Sequence, residues 1–236
     1  MSGRVRDGAS VTAMPAGGGA RAHRAVATGA SICVEVPFPR SLPGAGYLAA
    51  KRVLDVFAAV VSLVVLAIPM AVIALLVRLD SPGPALFRQE RLGRAGRPFT
   101  IYKYRSMRMD AECDGPQWAE RDDERCTRLG RVLRRTRLDE LPQLWNILRG
   151  DMSFVGPRPE RPVFYGKFEE YVHGFRYRLL VTPGLTGLAQ VNGGYDLMPE
   201  EKIIYDIRYI ETCSLMVDLS CVLRTVRLVF THEGAR

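Results

Sequence analysis

Two adjacent carboxylates, Asp139 and Glu140, follow an arginine-rich stretch and precede Leu141–Pro142. Neighbouring positions on a helix project about 100° apart, so both can approach one ligand without sharing a single cation. Such a pair could divide phosphoryl chemistry between them. One carboxylate would attack phosphorus and the other would hold Mg2+, which favours carboxylate and phosphate oxygens. Nearby cations would keep both ionised. Arg128, Arg131, Arg134 and Arg135 recur at roughly helical spacing, and Arg88, Arg91, Arg94, Arg97, Lys103 and Arg105 precede them. Guanidinium groups bind phosphate in bidentate fashion, so a convergent set would hold a pyrophosphate. The same residues would also suit a solvated basic face or one resting on anionic headgroups, and an Asp–Glu pair is commonly a surface salt-bridge partner.

The remaining motifs narrow the chemistry. Gly156–Pro–Arg–Pro159 is a stiff segment offering one cation, and Pro183–Gly–Leu–Thr–Gly187 is a turn with backbone N–H groups to donate. Neither is a Walker loop or a dinucleotide-binding turn. His23, His173 and His232 are scattered, and the five cysteines form no CxxC pair, so a zinc site, a disulfide framework and a catalytic triad are not indicated. Reduced thiols facing cytosol fit better.

The elements that must position these residues are legible in outline. Residues 1–46 open with Gly, Ala, Ser and Arg in no apolar period and read as a disordered tail. From Val53 to Leu79 the chain is almost wholly apolar, with Lys51–Arg52 and Arg78 at its ends and Pro69 inside. Its length suits a bilayer crossing. A proline-kinked span is one reading of residues 47–80; a helix that enters the membrane, turns at the break and returns is the other, favoured because basic residues at both ends prefer the cytoplasmic side. Leu86–Arg91 and Pro98–Arg105 alternate around a glycine turn as two strands of a hairpin. Residues 110–125 read as a polar surface loop. Thr127–Thr136 and Leu138–Gly150 read as two helical pieces, the second capped by Thr136. Val163–Leu180 reads as a helix and residues 181–194 as a loop. Two amphipathic helices finish the chain. In the last, Leu215, Leu219, Val222, Leu223, Val226, Val229 and Phe230 share a face, opposite Asp218, Arg224 and Arg227, that would either pack on the domain, the plainer option, or lie on the membrane interface as an interfacial amphipathic helix. The fold class is α/β and mostly helical, with a small cytosol-facing domain over residues 81–236. The net charge of +8 calls for anionic partners. Nucleic acid is one, through the arginines and Tyr102–Lys–Tyr–Arg105, and such a protein would have no use for Asp139–Glu140.

Taken together and in order, KRVLD at 51–55, SPGPALFRQERLG at 81–93, YKYRSM at 102–107, the long run from Thr127 to Glu160, PGLTGLAQVNG at 183–193 and DIRYIE at 206–211 resemble the bacterial sugar transferase family, the monotopic polyprenyl-phosphate phosphoglycosyl transferases. The resemblance implies a re-entrant helix broken at Pro69 and a domain on the cytoplasmic face of the bacterial inner membrane, among phospholipids. It implies Asp139 as nucleophile and Glu140 as a Mg2+ ligand. Lys103, Arg105 and Arg134 would lie near phosphates, and Pro157, Arg158, Pro159 and Gln190 near the nucleotide-sugar. Lys51 and Arg52 would meet lipid phosphate. The implied partners are a nucleotide-sugar, most simply a UDP-sugar, and polyprenyl phosphate, with room for a homodimer and no nucleic acid. The implied reaction is ping-pong transfer of a sugar phosphate through an aspartyl intermediate. Asn192–Gly–Gly194 departs from the family, which often carries Arg there, and this bears on the donor sugar.

Overall fold

The computed structural model describes residues 25–28, 31–113, 115, 123–194 and 197–231. The chain is mostly helical with a few short strands. Helices α1 (Ala45–Val65) and α2 (Ala67–Asp80) carry the apolar segment and are bent by 65° at Leu66. Neither is long and apolar enough alone to cross a membrane. The expected break at Pro69 therefore falls three residues earlier. The physical reason lies in the proline ring, which collides with the carbonyl four residues back, here that of Val65. Pro69 itself sits in the first turn of α2, where a helix does not need its missing N–H. The Met70 N–H restarts the ladder by donating to the Leu66 carbonyl at 2.8 Å.

The hairpin comes out as the alternation predicted, with β3 (Leu86–Leu92) antiparallel to β4 (Pro98–Tyr104) and Leu86 opposite Tyr104. Helix α3 (Arg128–Arg135) is N-capped by Thr127, whose hydroxyl accepts from the Gly130 N–H at 2.9 Å. Gly130 is where this helix crosses the end of the hairpin, and a Cβ there would come within 1.9 Å of the Ser106 carbonyl oxygen. Thr136 closes α3 instead of capping the next piece, because its hydroxyl donates back to the Val132 carbonyl. Helix α4 (Gln143–Arg149) ends at Gly150, which takes the left-handed conformation at φ 95°.

Two small sheets tie the rest. Strand β5 (Ser153–Val155) runs parallel to β7 (Gly184–Thr186), inside the segment 181–194 read as a loop, which also holds helix α6 (Leu188–Asn192). The helix expected over 163–180 splits into α5 (Pro162–Glu169), β6 (Val172–His173) and a 3-10 turn (Phe175–Leu180). β6 pairs in parallel with β2 (Ser31–Glu35), and β2 in turn pairs with β1 (Ala25–Thr28). The expected featureless tail to residue 46 is thus corrected: chain within it adds a strand to the domain, and α1 begins at Ala45. The main core lies between α5, the 3-10 turn and helix α7 (Pro199–Thr212), around Phe164, Tyr165, Phe168, Phe175, Ile203, Ile207 and Ile210.

Helix α8 (Leu215–Thr231) does not pack its leucine face on the domain; of the two expected arrangements it keeps the one with that face turned outward. Its polar residue Asp218 is buried with Cys221, whereas Leu215, Met216, Leu219, Val222, Leu223 and Val226 are exposed. The side chains of Val229 and Phe230 lie outside the described residues. Asp218 turns inward because it joins three partners: Lys51 Nζ and the Tyr47 hydroxyl each at 2.8 Å on one oxygen, and the Tyr209 hydroxyl at 2.8 Å on the other. On α1 and α2 the exposed apolar residues include Phe57, Val64, Ile68, Leu75 and Leu79. Three helices, α1, α2 and α8, therefore present exposed apolar side chains.

Candidate active site

The carboxylate pair lies in a 3-10 turn (Leu138–Glu140) between α3 and α4. The chain enters this turn through Arg137, whose φ of 58° is uncommon for a residue with a Cβ. That reversal turns Asp139 and Glu140 inward, and both are buried. They border a cavity of about 310 Å³ walled by the hairpin, the segment after β5, α6 and α7.

Glu140 meets two cations there. Lys103 Nζ lies 2.9 Å from Oε1, and the Arg158 guanidinium forks across both oxygens. Burial alone would raise the Glu140 pKa, but Arg158 and Lys103 outweigh it and hold the carboxyl well below the ordinary range. Asp139 goes the other way. Burial pushes its pKa up, the Lys103 charge opposes, and the Glu140 charge adds to the rise. Among the described residues the Asp139 carboxylate takes no side-chain hydrogen bond. Two neighbouring carboxyls thus differ in state: one is clamped and ionised, the other unclamped beside the open cavity.

Sequence reasoning missed the residue that aims Lys103. Asn146 is fully buried on α4; its Oδ1 accepts from the Tyr102 N–H at 3.1 Å and its Nδ2 donates to the Thr100 carbonyl at 2.7 Å. It fastens β4 to α4 beside Lys103. A buried amide in an amphipathic helix was the available signal.

The expected site residues divide. Lys103, Arg134, Arg158 and Gln190 all reach the cavity. Arg128, Arg131 and Arg135 of α3 are exposed instead. Pro157 and Pro159 are buried behind Arg158, where their carbonyls accept from the Gly184 N–H and from Arg91. Arg105, expected near a phosphate, touches the cavity, but its guanidinium donates to the carbonyls of Val77, Ser81 and Pro82 at the end of α2. Arg52 does the same for α4, donating to Ile147 and Leu148 at 2.6 and 2.8 Å. A helix C-terminus carries unpaired carbonyls and partial negative charge, which is why arginines settle there. Lys51, expected with Arg52 at a lipid phosphate, pairs with Asp218.

Among the described residues no three His, Cys, Asp or Glu side chains converge to hold a metal ion. A Mg2+ ion nonetheless fits the pair, because it is commonly bound by one or two carboxylates and completed by substrate phosphates and water.

The model of the bacterial sugar transferase family matches residues 46–232. A UDP-N-acetylgalactosamine-undecaprenyl-phosphate N-acetylgalactosaminephosphotransferase of Aeromonas hydrophila is 43% identical over 198 residues, 83% of this chain and 47% of that protein. A putative undecaprenyl-phosphate N-acetylgalactosaminyl 1-phosphate transferase of Bacillus subtilis is 54% identical over 143 residues, 60% of this chain and 79% of that one. A UDP-glucose:undecaprenyl-phosphate glucose-1-phosphate transferase of Caulobacter vibrioides is 46% identical over 191 residues, 78% of this chain and 71% of its own length. The chain therefore spans about half of the Aeromonas relative and over two thirds of the other two. With the match running from the start of α1 to the end of α8, the chain belongs to the bacterial sugar transferase family.

Proposed function

We propose that this protein transfers a sugar 1-phosphate from a UDP-sugar to undecaprenyl phosphate at the cytoplasmic face of a bacterial membrane, the first step in building a polysaccharide. The observation that carries the reading is the asymmetric carboxylate pair: Glu140 clamped by Lys103 and Arg158, Asp139 beside it with no side-chain hydrogen bond among the described residues. A carboxylate free of hydrogen bonds keeps its lone pairs for attack on phosphorus. Asp139 Oδ bonds to the phosphorus that bears the sugar, the bond to the bridging oxygen breaks, and uridine monophosphate leaves with the electron pair. A phosphate oxygen of the lipid then attacks the same phosphorus and returns the carboxylate. Lys103, Arg134 and Arg158 surround the site with the positive charge that this transfer between anions needs. Mg2+, held by Glu140 and the substrate, would supply further neutralisation of the pyrophosphate.

The names of the relatives support the substrate class, and the apolar surface of α1, α2 and α8 supports a membrane seat. In this reading α1 and α2 enter one leaflet and return at the bend, and α8 lies along the interface. The release of nucleoside monophosphate tests the chemistry. Membranes carrying the chain, given Mg2+, undecaprenyl phosphate and a panel of UDP-sugars, should release UMP from at least one donor and form a lipid-linked sugar diphosphate. No release from any donor would reject the reading. Salt-sensitive binding of DNA or RNA would then favour the nucleic-acid alternative.

Topology has its own test. Single cysteines at Ser41 and Ser81, just outside the two ends of the helix pair, should react with a membrane-impermeant thiol reagent from the same, cytoplasmic, side. Labelling from opposite sides would establish a full crossing and exclude the re-entrant arrangement.

A further inference from the structure

Helix α3 exposes a stripe of positive charge that the described residues leave unbalanced. Arg128, Arg131, Val132 and Arg135 stand at i, i+3, i+4 and i+7, the spacing of one helix face, and all four are exposed. Among the described residues none of these three arginines has an ion pair, and α3 itself contains no carboxylate. Like charges three and four residues apart destabilise a helix. Of the three, only Arg135 in the last turn is favoured by the helix dipole. An anionic surface outside the chain would relieve this repulsion.

The neighbours of the stripe identify that surface. On the other side of α3, Leu129 and Leu133 pack with Met70, Ile73 and Val77 of α2, the returning leg of the helix pair. Beyond the turn that carries the carboxylate pair, α4 packs on α1 and leaves Trp145 49% exposed. Val132 and Leu138 are exposed between the arginines and this indole. Arginine interleaved with tryptophan and apolar side chains suits a membrane–water boundary, where indole rings lie among headgroups and guanidinium groups stay in the polar layer. We propose that the exposed face of α3, continued by Trp145 of α4, rests on anionic phospholipid headgroups, an inference that depends on the membrane seat proposed above for α1 and α2. Guanidinium groups pair with lipid phosphate, and a leaflet rich in anionic lipid attracts basic residues at its surface. Arg134 of the same helix borders the catalytic cavity instead. One helix thus divides its arginines between the lipid surface and the substrate, directly before the turn that holds Asp139 and Glu140.

The test reconstitutes the full chain in phosphatidylcholine vesicles with a trace of spin-labelled lipid, either phosphatidylglycerol or phosphatidylcholine. Electron paramagnetic resonance then reads the motionally restricted fraction of each label. Wild type should hold phosphatidylglycerol about fivefold more strongly than phosphatidylcholine, the scale of one basic residue at a charged surface. Arg128→Gln, Arg131→Gln and Arg135→Gln combined should reduce that preference to less than about twofold. Glutamine is a good helix former and the three sites are exposed, so the fold should persist. The corresponding triple change to lysine keeps the charge and should keep the preference. Raising salt from about 0.1 to about 1 M shortens the screening length from about 10 to about 3 Å and should at least halve the wild-type preference. Equal preference in wild type and the glutamine variant would overturn the proposal. So would an unaltered lipid preference accompanied by loss of binding to an RNA or DNA oligonucleotide, or by a raised KM for undecaprenyl phosphate. If alkaline carbonate strips wild type from the vesicles, the membrane seat itself falls; retention without a lipid preference defeats this inference alone.

Discussion

Asp139→Asn should turn over at least about 10,000-fold more slowly than wild type, since the amide is nearly isosteric but poorly nucleophilic, and nucleophiles removed singly from covalent enzymes cost on that scale. Folding and donor binding should persist, because the Asp139 carboxylate holds no other side chain by a hydrogen bond among the described residues. Glu140→Gln should behave differently. It loses a charge that both Lys103 and Arg158 engage, so a lower rate and a higher Mg2+ requirement should appear together. Wild type given labelled UDP-sugar and Mg2+ without lipid should retain a sugar phosphate on the peptide containing Asp139, detectable by mass spectrometry. Normal activity in Asp139→Asn would refute both the covalent route and the assignment of the nucleophile.

The largest effect on stability should come from Asp206→Ala. Arg178 and Asp206 are 2% and 1% exposed, and their ion pair of 2.6 Å sits inside the main core, with the guanidinium also 4.7 Å from the centre of the Phe175 ring. Removing one partner of a buried pair leaves an uncompensated charge, which costs about 3–5 kcal/mol. For a chain of this size that corresponds to a drop in Tm of about 10 °C. Replacing both, as Arg178→Met with Asp206→Leu, should recover most of the loss, because the charge then leaves with its partner. Thermal unfolding in detergent would measure both. A drop of less than about 3 °C in the single variant would mean that Glu160, 4.0 Å from Arg178, is a sufficient counter-charge.

What was legible in the sequence depended on how local the physics was. The hairpin was readable because alternation and a glycine turn act within a few residues. The bend of the apolar segment was readable too, though not its position, since a proline does its damage one turn earlier. The break within 163–180 was not. Its aromatic residues have a helical look, but Gly174 turns at φ 94° and Val172–His173 pair with a strand more than a hundred residues away. For helix α8 the pattern left its leucine face two seats, the domain or the membrane interface, and marked Asp218 as a residue of the polar face. Only the distant Lys51, Tyr47 and Tyr209 make a buried aspartate tolerable there. Arg52, placed by the resemblance at a lipid phosphate, and Arg105, placed near the donor phosphates, donate to carbonyls at helix ends, and residue type shows charge but not which helix end lies within reach. The pair Lys202 and Asp206 did carry a signal: two charges one turn apart on the otherwise apolar face of α7.

The junction at Asp218 bears on where the reaction takes place. Lys51 and Tyr47 belong to the first two turns of α1, Tyr209 to α7 and Asp218 to α8, while Arg52 grips the end of the helix that follows the carboxylate pair. With α1 and α2 seated in one leaflet as proposed, these contacts let the inserted helix carry no independent tilt or depth. The distance from the lipid headgroups to Asp139 is then set by the protein as by a spacer of fixed length. A substrate whose phosphate rides at constant height on the end of a long hydrocarbon chain would meet a nucleophile held at that same level.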